Sequence, residues 1–358
     1  MRFTHETLPQ RVVFARGDAA TALAAEIAAL GATRVMLIAS AREAALVAPI
    51  TAALPVVLHH DEVVMHVPVE VADRARTAAA AAGVDAILTV GGGSATGLGK
   101  AVALASERPG GLPILAVPTT YAGSEATNVW GLTQGTTKST GVDDAVLPRS
   151  IVYDATLLTS LPAELSVASG LNALAHCIDA MWGPRVDPID QALAGEGIRG
   201  LAGGLPVIAR EGARQGALVQ GIEQTLYGAY LAAVAFASAG SGMHHKICHV
   251  LGGMFNLPHA QTHAVVLPHV LAFNAPNAPE AERRIAAAFG SSTAVEGMAA
   301  LRAAVDAPRA LRDYGMPEDG IAEAVAPVLA AIPPDNPTPV TEQNLTALLR
   351  AAWEGDPA

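Results

Sequence analysis

Six of the 11 histidines in this chain fall between positions 244 and 269, and their spacing is its strongest chemical signal. The run His244-His245-Lys246-Ile247-Cys248-His249 puts His245 and His249 four residues apart, on one face of a helix. His259 follows in Asn256-Leu257-Pro258-His259, and upstream Asn172 and His176 repeat the four-residue spacing. One histidine on an apolar helix is ordinarily a hydrogen-bonded core residue. Several in i,i+4 pairs make either a metal site or a polar catalytic pocket, and spacing alone does not separate the two. His263 and His269 are expected to be core residues. Cys177 and Cys248 adjoin candidate histidines in sequence but lie off their helix face, so both are expected to pack.

A second set of residues suits a phosphate. Gly91-Gly92-Gly93-Ser94 follows an apolar run ending at Val90, with Ser94 expected to cap the next helix. Glycines let the backbone approach a ligand closely, and a helix N-terminus offers free N–H groups. The expected ligand is a pyrophosphate; the alternative is a tight turn with no ligand. Thr96 stands where the third glycine of the Rossmann fingerprint would be, so this is not that motif. Pro118-Thr119-Thr120-Tyr121-Ala122-Gly123-Ser124 is either the wall of a ligand crevice or an ordinary polar loop. Ser40-Ala41-Arg42 ends an earlier strand and lacks the carboxylate that usually selects NAD. Ser40 and Arg42 are therefore expected to tolerate a 2′-phosphate, so that both NADH and NADPH serve.

These groups must be held by a chain of 358 residues, 51% hydrophobic and 15% charged, long enough for one large or two ordinary domains. A net charge of −11, only three lysines (Lys100, Lys138, Lys246) and no basic run argue against nucleic acid. Two cysteines fit a reducing compartment. No apolar leader and no run of 18 or more apolar residues occurs, so a soluble, cytoplasmic protein with no membrane span is expected. Up to about residue 155 strand-like runs (Val35–Ala39, Val56–His59, Ala86–Val90, Ile114–Val117, Ser150–Tyr153) alternate with Ala-rich helical runs, which predicts βαβ units and a parallel sheet. Leu132–Thr140 reads as a hairpin. Beyond about residue 160 the spacing is helical to the end. The expectation is an α/β dinucleotide-binding domain over 1–158 and an all-helical catalytic domain over 159–358.

Taken together, these motifs resemble the iron-containing alcohol dehydrogenase superfamily. The matching features are GGGS after one strand, PTT after the next, Ile151-Val152-Tyr153-Asp154 leading to Leu161-Pro162, and the histidine block ending in Pro258-His259. The resemblance covers roughly residues 10–350. It implies a parallel-sheet α/β domain with flanking helices, a helical domain, an active cleft between them, and a homodimer. The metal set it implies, one Asp and three His, falls on Asn172, His176, His245 and His259, with His249 a further pocket histidine. The single acid is thus an amide, and Lys246 adds a cation nearby. No catalytic metal is expected, although Asn172 could still ligate through its carbonyl.

The loop Thr119–Thr127 with its inserted Tyr121, and the pairing of Asn172 with His244-His245-Lys246, resemble one branch, the maleylacetate reductases. That resemblance implies a small dicarboxylate carrying an enone as substrate, in the degradation of aromatic compounds. Catalytic candidates are His245, Lys246, His249, Tyr121, Asn172, His176 and His259; cofactor candidates are Ser40, Arg42, Gly91, Gly92, Gly93, Ser94, Thr119, Thr120 and Ser124. Protonated histidine or Lys246 would take over the polarising task of a metal; Lys246 is otherwise a solvated surface residue. Two rivals share the superfamily fold: a metal-dependent alcohol or aldehyde dehydrogenase, and a lyase like dehydroquinate synthase, against which three lysines argue.

Overall fold

The computed structural model describes residues 1–107, 111–135, 137–210 and 212–356. Contacts divide the chain into two compact units, Leu8–Leu161 and Met1–Thr7 with Pro162–Ala358. The division falls at 161 rather than 158, and the first seven residues group with the helical unit.

The first unit contains strands β1 (Arg11–Phe14), β2 (Val35–Ile38), β3 (Val56–His60), β4 (Ala86–Gly91), β5 (Ile114–Pro118), β6 (Val129–Gln134), β7 (Thr137–Val142) and β8 (Ser150–Tyr153). Its helices are α1 (Ala19–Leu30), α2 (Ala44–Thr51), α3 (Val69–Ala81) and α4 (Gly93–Leu104). Six strands form an all-parallel sheet in the order β1-β8-β5-β4-β2-β3. Strands β2, β4, β5 and β8 are buried along their whole length, so each reads as a mostly apolar run, broken only by Thr89 and Ser150, instead of alternating. The edge strand β1, half exposed and four residues long, gave too weak a pattern to be expected. The predicted hairpin is β6–β7, turning at Gly135, whose φ of 58° suits glycine.

Strand order places the site in this unit. From β2 the chain steps out to β3, then returns to the other side of β2 as β4 and continues to β5 and β8. Successive connections diverge between β2 and β4, which opens a crevice beyond their carboxyl ends, where ligands of open α/β sheets bind. Ser40 and Gly91 lie at those two ends.

The second unit consists of α5 (Ala163–Ala180), α6 (Pro188–Ala209), α7 (Gln215–Ala239), α8 (Met243–Phe255), α9 (His259–Asn274), α10 (Pro279–Phe289), α11 (Ala294–Ala304), α12 (Gly320–Ala331) and α13 (Glu342–Glu354). No strand occurs among its described residues. Helix α5 is buried at every position from Ser166 to Ala180, so it is the central helix. Helices α6 and α7 approach backbone to backbone: a Cβ on Gly228 would sit 2.8 Å from the Gly197 carbonyl oxygen. Met243, Ile247 and Leu251 of α8 share a core with Val266 and Val270 of α9, Ile321 and Val328 of α12, and Leu345 and Leu349 of α13. Among the described residues no single helix is long and apolar enough to cross a membrane.

Candidate active site

In the α/β unit the expected phosphate loop sits at the mouth of the crevice. Gly91 ends β4 with φ at 149°, and a Cβ there would collide with Ala95 Cβ at 2.8 Å and Glu43 Oε1 at 2.9 Å. Gly92 caps α4, where a Cβ would press on Thr120 Cγ2 at 3.0 Å. The cap is therefore Gly92; Ser94, expected in that role, lies inside the first turn of α4. This glycine cradle at a helix N-terminus fits the diphosphate of a dinucleotide.

The carboxylate missing from Ser40-Ala41-Arg42 is supplied by Glu43. Its Oε2 accepts from the Ser40 hydroxyl at 2.8 Å, and its Oε1 accepts from the Thr119 hydroxyl at 3.2 Å. Ser40 is thus engaged by an acid, and Arg42, exposed, is the remaining group suited to a 2′-phosphate. Tyr121 is fully buried.

Lys100, which the sequence marked only by its scarcity, anchors this loop. From within α4 its ammonium, fully buried, donates to the carbonyls of Ser124 (2.6 Å), Thr127 (2.8 Å) and Val129 (2.8 Å) and to the Thr127 hydroxyl at 3.1 Å. Burial draws its pKa down to about 7, opposed by the charge of Glu125. Glu125, itself raised by burial, accepts from the Tyr153 hydroxyl at 2.8 Å.

In the helical unit the candidate histidines meet. Asn172, His176 and Asp179 recur at i, i+4 and i+7 along α5 and are all buried. The His176 and His245 rings stack at 4.8 Å with an interplanar angle of 16°, and Phe236 of α7 lies against both at 4.7 and 4.3 Å. His249 is 6.1 Å from His245 and 6.4 Å from His259. His244, His245, His176 and His263 form the buried end of this cluster, and His249 and His259 its exposed end. Lys246 is half-buried, and its charge helps keep the Asp179 carboxyl ionised.

Two residues of this cluster were not anticipated. His263, expected to be a core residue, has its ring 4.3 Å from His259, 4.7 Å from His245 and 4.9 Å from His244. The reason is the start of α9: Pro258 holds the cap position, so the helix begins at His259 and carries His263 one turn later on the same face. The other is Asp179. Its Oδ2 lies 2.7 Å from His245 Nδ1 and accepts from the backbone N–H groups of Gly242 and His245, both at 3.2 Å. A carboxylate on α5 thereby caps α8 and orients its second histidine. The signal was a third polar residue on the Asn172–His176 face. Cys177 and Cys248 are buried, and burial pushes both thiols up, which makes them inert packing residues.

Burial sets the charges. It lowers His176 to about 3 and His244 to about 4, and holds His245 and His263 well below the usual imidazole value. These four rings are neutral at neutral pH, which corrects the expectation of protonated histidines. Burial raises Asp179 to about 7. His244 Nε2–H donates to the His263 carbonyl at 3.0 Å, which fixes its tautomer. Asn172 Oδ1, His176 Nδ1 and His245 Nε2 are buried without a hydrogen-bond partner, a cost that a polar substrate would relieve.

Sequence models of known families match both units: iron-containing alcohol dehydrogenase over residues 9–155 and the C-terminal part of the Fe-containing alcohol dehydrogenase family over 166–353. The chain belongs to the iron-containing alcohol dehydrogenase family and is an oxidoreductase. Within it, the chain is 42% identical to the maleylacetate reductase of Sphingobium indicum, over 100% of this chain and 99% of the relative. The structure of an iron-containing alcohol dehydrogenase from Corynebacterium glutamicum superposes with a TM-score of 0.95 at 56% identity, covering 99% of this chain and 98% of that one. A maleylacetate reductase from Agrobacterium tumefaciens superposes with a TM-score of 0.92 at 35% identity, each chain fully covered.

The residues at the family's metal positions do not fit an ion. Zinc or iron needs donors converging with bonds of about 2.0–2.1 Å to nitrogen, along lone pairs lying in each imidazole plane. His176 and His245 are stacked face to face, so their lone pairs run side by side. Asn172 supplies no charge. Among the described residues the cluster's converging donors are instead those of His244, His245 and His263. That trio lacks an acid, and two of its nitrogens already bond to the His263 carbonyl and Asp179.

Proposed function

We propose that the chain reduces the carbon–carbon double bond of maleylacetate to give 3-oxoadipate, using NADH or NADPH and no catalytic metal. The observation that carries this reading is the replacement of the family's anionic ligand by Asn172 beside neutral, stacked imidazoles. Full-length similarity to maleylacetate reductases supports the substrate. A role in aromatic-compound degradation, a cytoplasmic location and a homodimer belong to the same proposal.

A nicotinamide dinucleotide held by the Gly91–Gly93 cradle would supply hydride to the alkene carbon β to the ketone. Negative charge then gathers on the ketone oxygen, where a positioned donor lowers the barrier. Asp179 and His245 provide that donor. With Asp179 protonated, its hydroxyl donates to Nδ1, and the imidazole presents Nε2–H. Transfer of the Nε2 proton to the α carbon of the enolate leaves Nδ1–H facing an ionised Asp179. The proton therefore crosses the ring without making a buried imidazolium. Lys246 is suited to a substrate carboxylate, and Asn172 and His176 offer further polar contacts.

The deciding assay follows oxidation of NADH and of NADPH with maleylacetate, in EDTA, against a panel of simple aldehydes. We expect turnover with both nucleotides, within about 100-fold of each other, unaffected by the chelator. Activity confined to aldehydes and abolished by EDTA would favour the metal-dependent rival. His249, at the exposed end of the cluster and 6.1 Å from His245, is suited to hold the substrate against that donor. His249→Ala should lower turnover at least about ten-fold with the nucleotide Kd unchanged; near-normal turnover removes it from the mechanism.

A further inference from the structure

The N-terminal segment meets the start of α6 through a second group of titratable side chains. His5 Nδ1 lies 2.8 Å from Asp187 Oδ2 and 3.7 Å from Asp190 Oδ1, and the three ligand atoms fall within 4.8 Å of one another. The sequence of α6 explains the placement. Asp187 and Asp190 form a reciprocal capping box: Asp187 Oδ1 accepts from the N–H groups of Ile189 and Asp190, and Asp190 Oδ2 accepts from Asp187 N–H. Each carboxylate spends one oxygen on the helix end, and the second oxygen of each comes near His5. Asp190 is fully buried, and besides the Asp187 N–H only the Ser238 hydroxyl offers its carboxylate a hydrogen bond.

An imidazolium does not satisfy this arrangement. It carries one N–H at Nδ1, and that proton is spent on Asp187. Two buried carboxylates then share a single positive charge, with only the Ser238 hydroxyl and one backbone N–H to offset Asp190, a costly state for a buried carboxylate. A divalent ion among the three atoms satisfies all of them. Donors around a tetrahedral zinc stand roughly 3.3 Å apart, between the two observed separations. One imidazole and two carboxylates are a borderline donor set that suits zinc better than magnesium or calcium. Asp187 also lines an adjoining cavity of about 630 Å³ with Phe3, Trp182, Arg185 and Gln191, which gives an ion access and room for a water ligand.

We propose that His5, Asp187 and Asp190 bind one zinc ion, which fastens the N-terminal segment to the first turn of α6. The site is separate from the histidine cluster and does not depend on the catalytic reading. The test titrates zinc chloride into chelator-treated full-length protein by calorimetry and repeats it on His5→Ala, with unfolding temperatures measured with and without zinc. His5 lies outside the helical core, so this variant stays folded, and Asp190→Asn serves as a second probe. We expect one equivalent bound with a Kd of about 10 µM or tighter, weakened at least ten-fold in both variants. A zinc-dependent rise in unfolding temperature should be seen in the parent protein and be absent in His5→Ala. No binding below about 1 mM, or the same isotherm for parent and His5→Ala, would overturn the site.

Discussion

Asp179→Ala should lower kcat by about 10²–10³ while KM for NADH stays within about two-fold, because the change disarms His245 without touching the nucleotide crevice. The carboxylate is fully buried, and its 2.7 Å contact holds His245 Nδ1, the nitrogen that also lies 3.4 Å from His244 Nδ1. Without it the imidazole is free to choose its tautomer, and Nε2 no longer reliably presents a proton. The alanine also strips acceptors from the N–H groups of Gly242 and His245, so some stability is lost and turnover must be normalised to folded protein. Asp179→Asn separates the two effects. One atom, Oδ2, makes all three contacts, so an amide oxygen in its place keeps the α8 N–H bonds and accepts Nδ1–H, which leaves Nε2 without a proton and nothing to relay. We expect near-parental stability with kcat as low as in the alanine variant. The pH profile gives an independent check. Asp179 is raised to about 7 and must be protonated to arm Nε2, so turnover of the parent falls as pH rises through that value. The asparagine variant should lack that limb. A kcat within two-fold of the parent in both variants would dismiss the Asp179–His245 pair.

What the sequence made legible, and what it left hidden, divides by range. The parallel sheet was visible because β4 and β5 are apolar at nearly every position, and full burial leaves no other texture. The pairing of Asn172 with His176 and of His245 with His249 was visible because each lies on one helix. Asp179 was equally visible as a residue, but its partner is 66 positions away, and no local pattern announces that contact between α5 and α8. His263 was hidden because its contacts with His244 and His245 join α9 to α8, which spacing along one helix does not report. Glu43 was missed because the expected acid belongs at the end of β2, whereas this one folds back from the short helical turn that follows. The charge state of the histidines was out of reach altogether. Composition says that imidazoles cluster; only the depth of their burial says that they are neutral.

Lys100→Met should cost about 3–5 kcal/mol of stability, the largest effect expected in the α/β unit, and in what still folds it should raise KM for NADH several-fold. The substitution keeps the aliphatic stem and deletes one ammonium. Three backbone carbonyls and a hydroxyl oxygen lose the ammonium together, although the Ser124 carbonyl keeps the Thr127 N–H and hydroxyl, and the Thr127 hydroxyl keeps the Val129 N–H. The Thr127 oxygens cannot turn to water, because they sit inside the protein, and all the acceptors are fixed by the 3₁₀ turn Ser124–Ala126 and the entry into β6. Glu125 loses its nearby cation at the same time. Arginine should not rescue: four acceptors at 2.6–3.1 Å surround a point, and a planar fork cannot match them without displacing α4. The functional consequence follows from what the anchored segment carries. Thr119, Thr120 and Ser124 belong to the loop that Lys100 ties to α4, and Gly91 to Gly93 lie at the start of that same helix. A single buried charge thus fixes the two halves of the nucleotide crevice to each other. Chemical denaturation with linear extrapolation gives the stability loss, and KM at constant maleylacetate gives the cofactor effect. A loss below about 1 kcal/mol would mean that the carbonyls find other donors and that the loop holds its shape without the lysine.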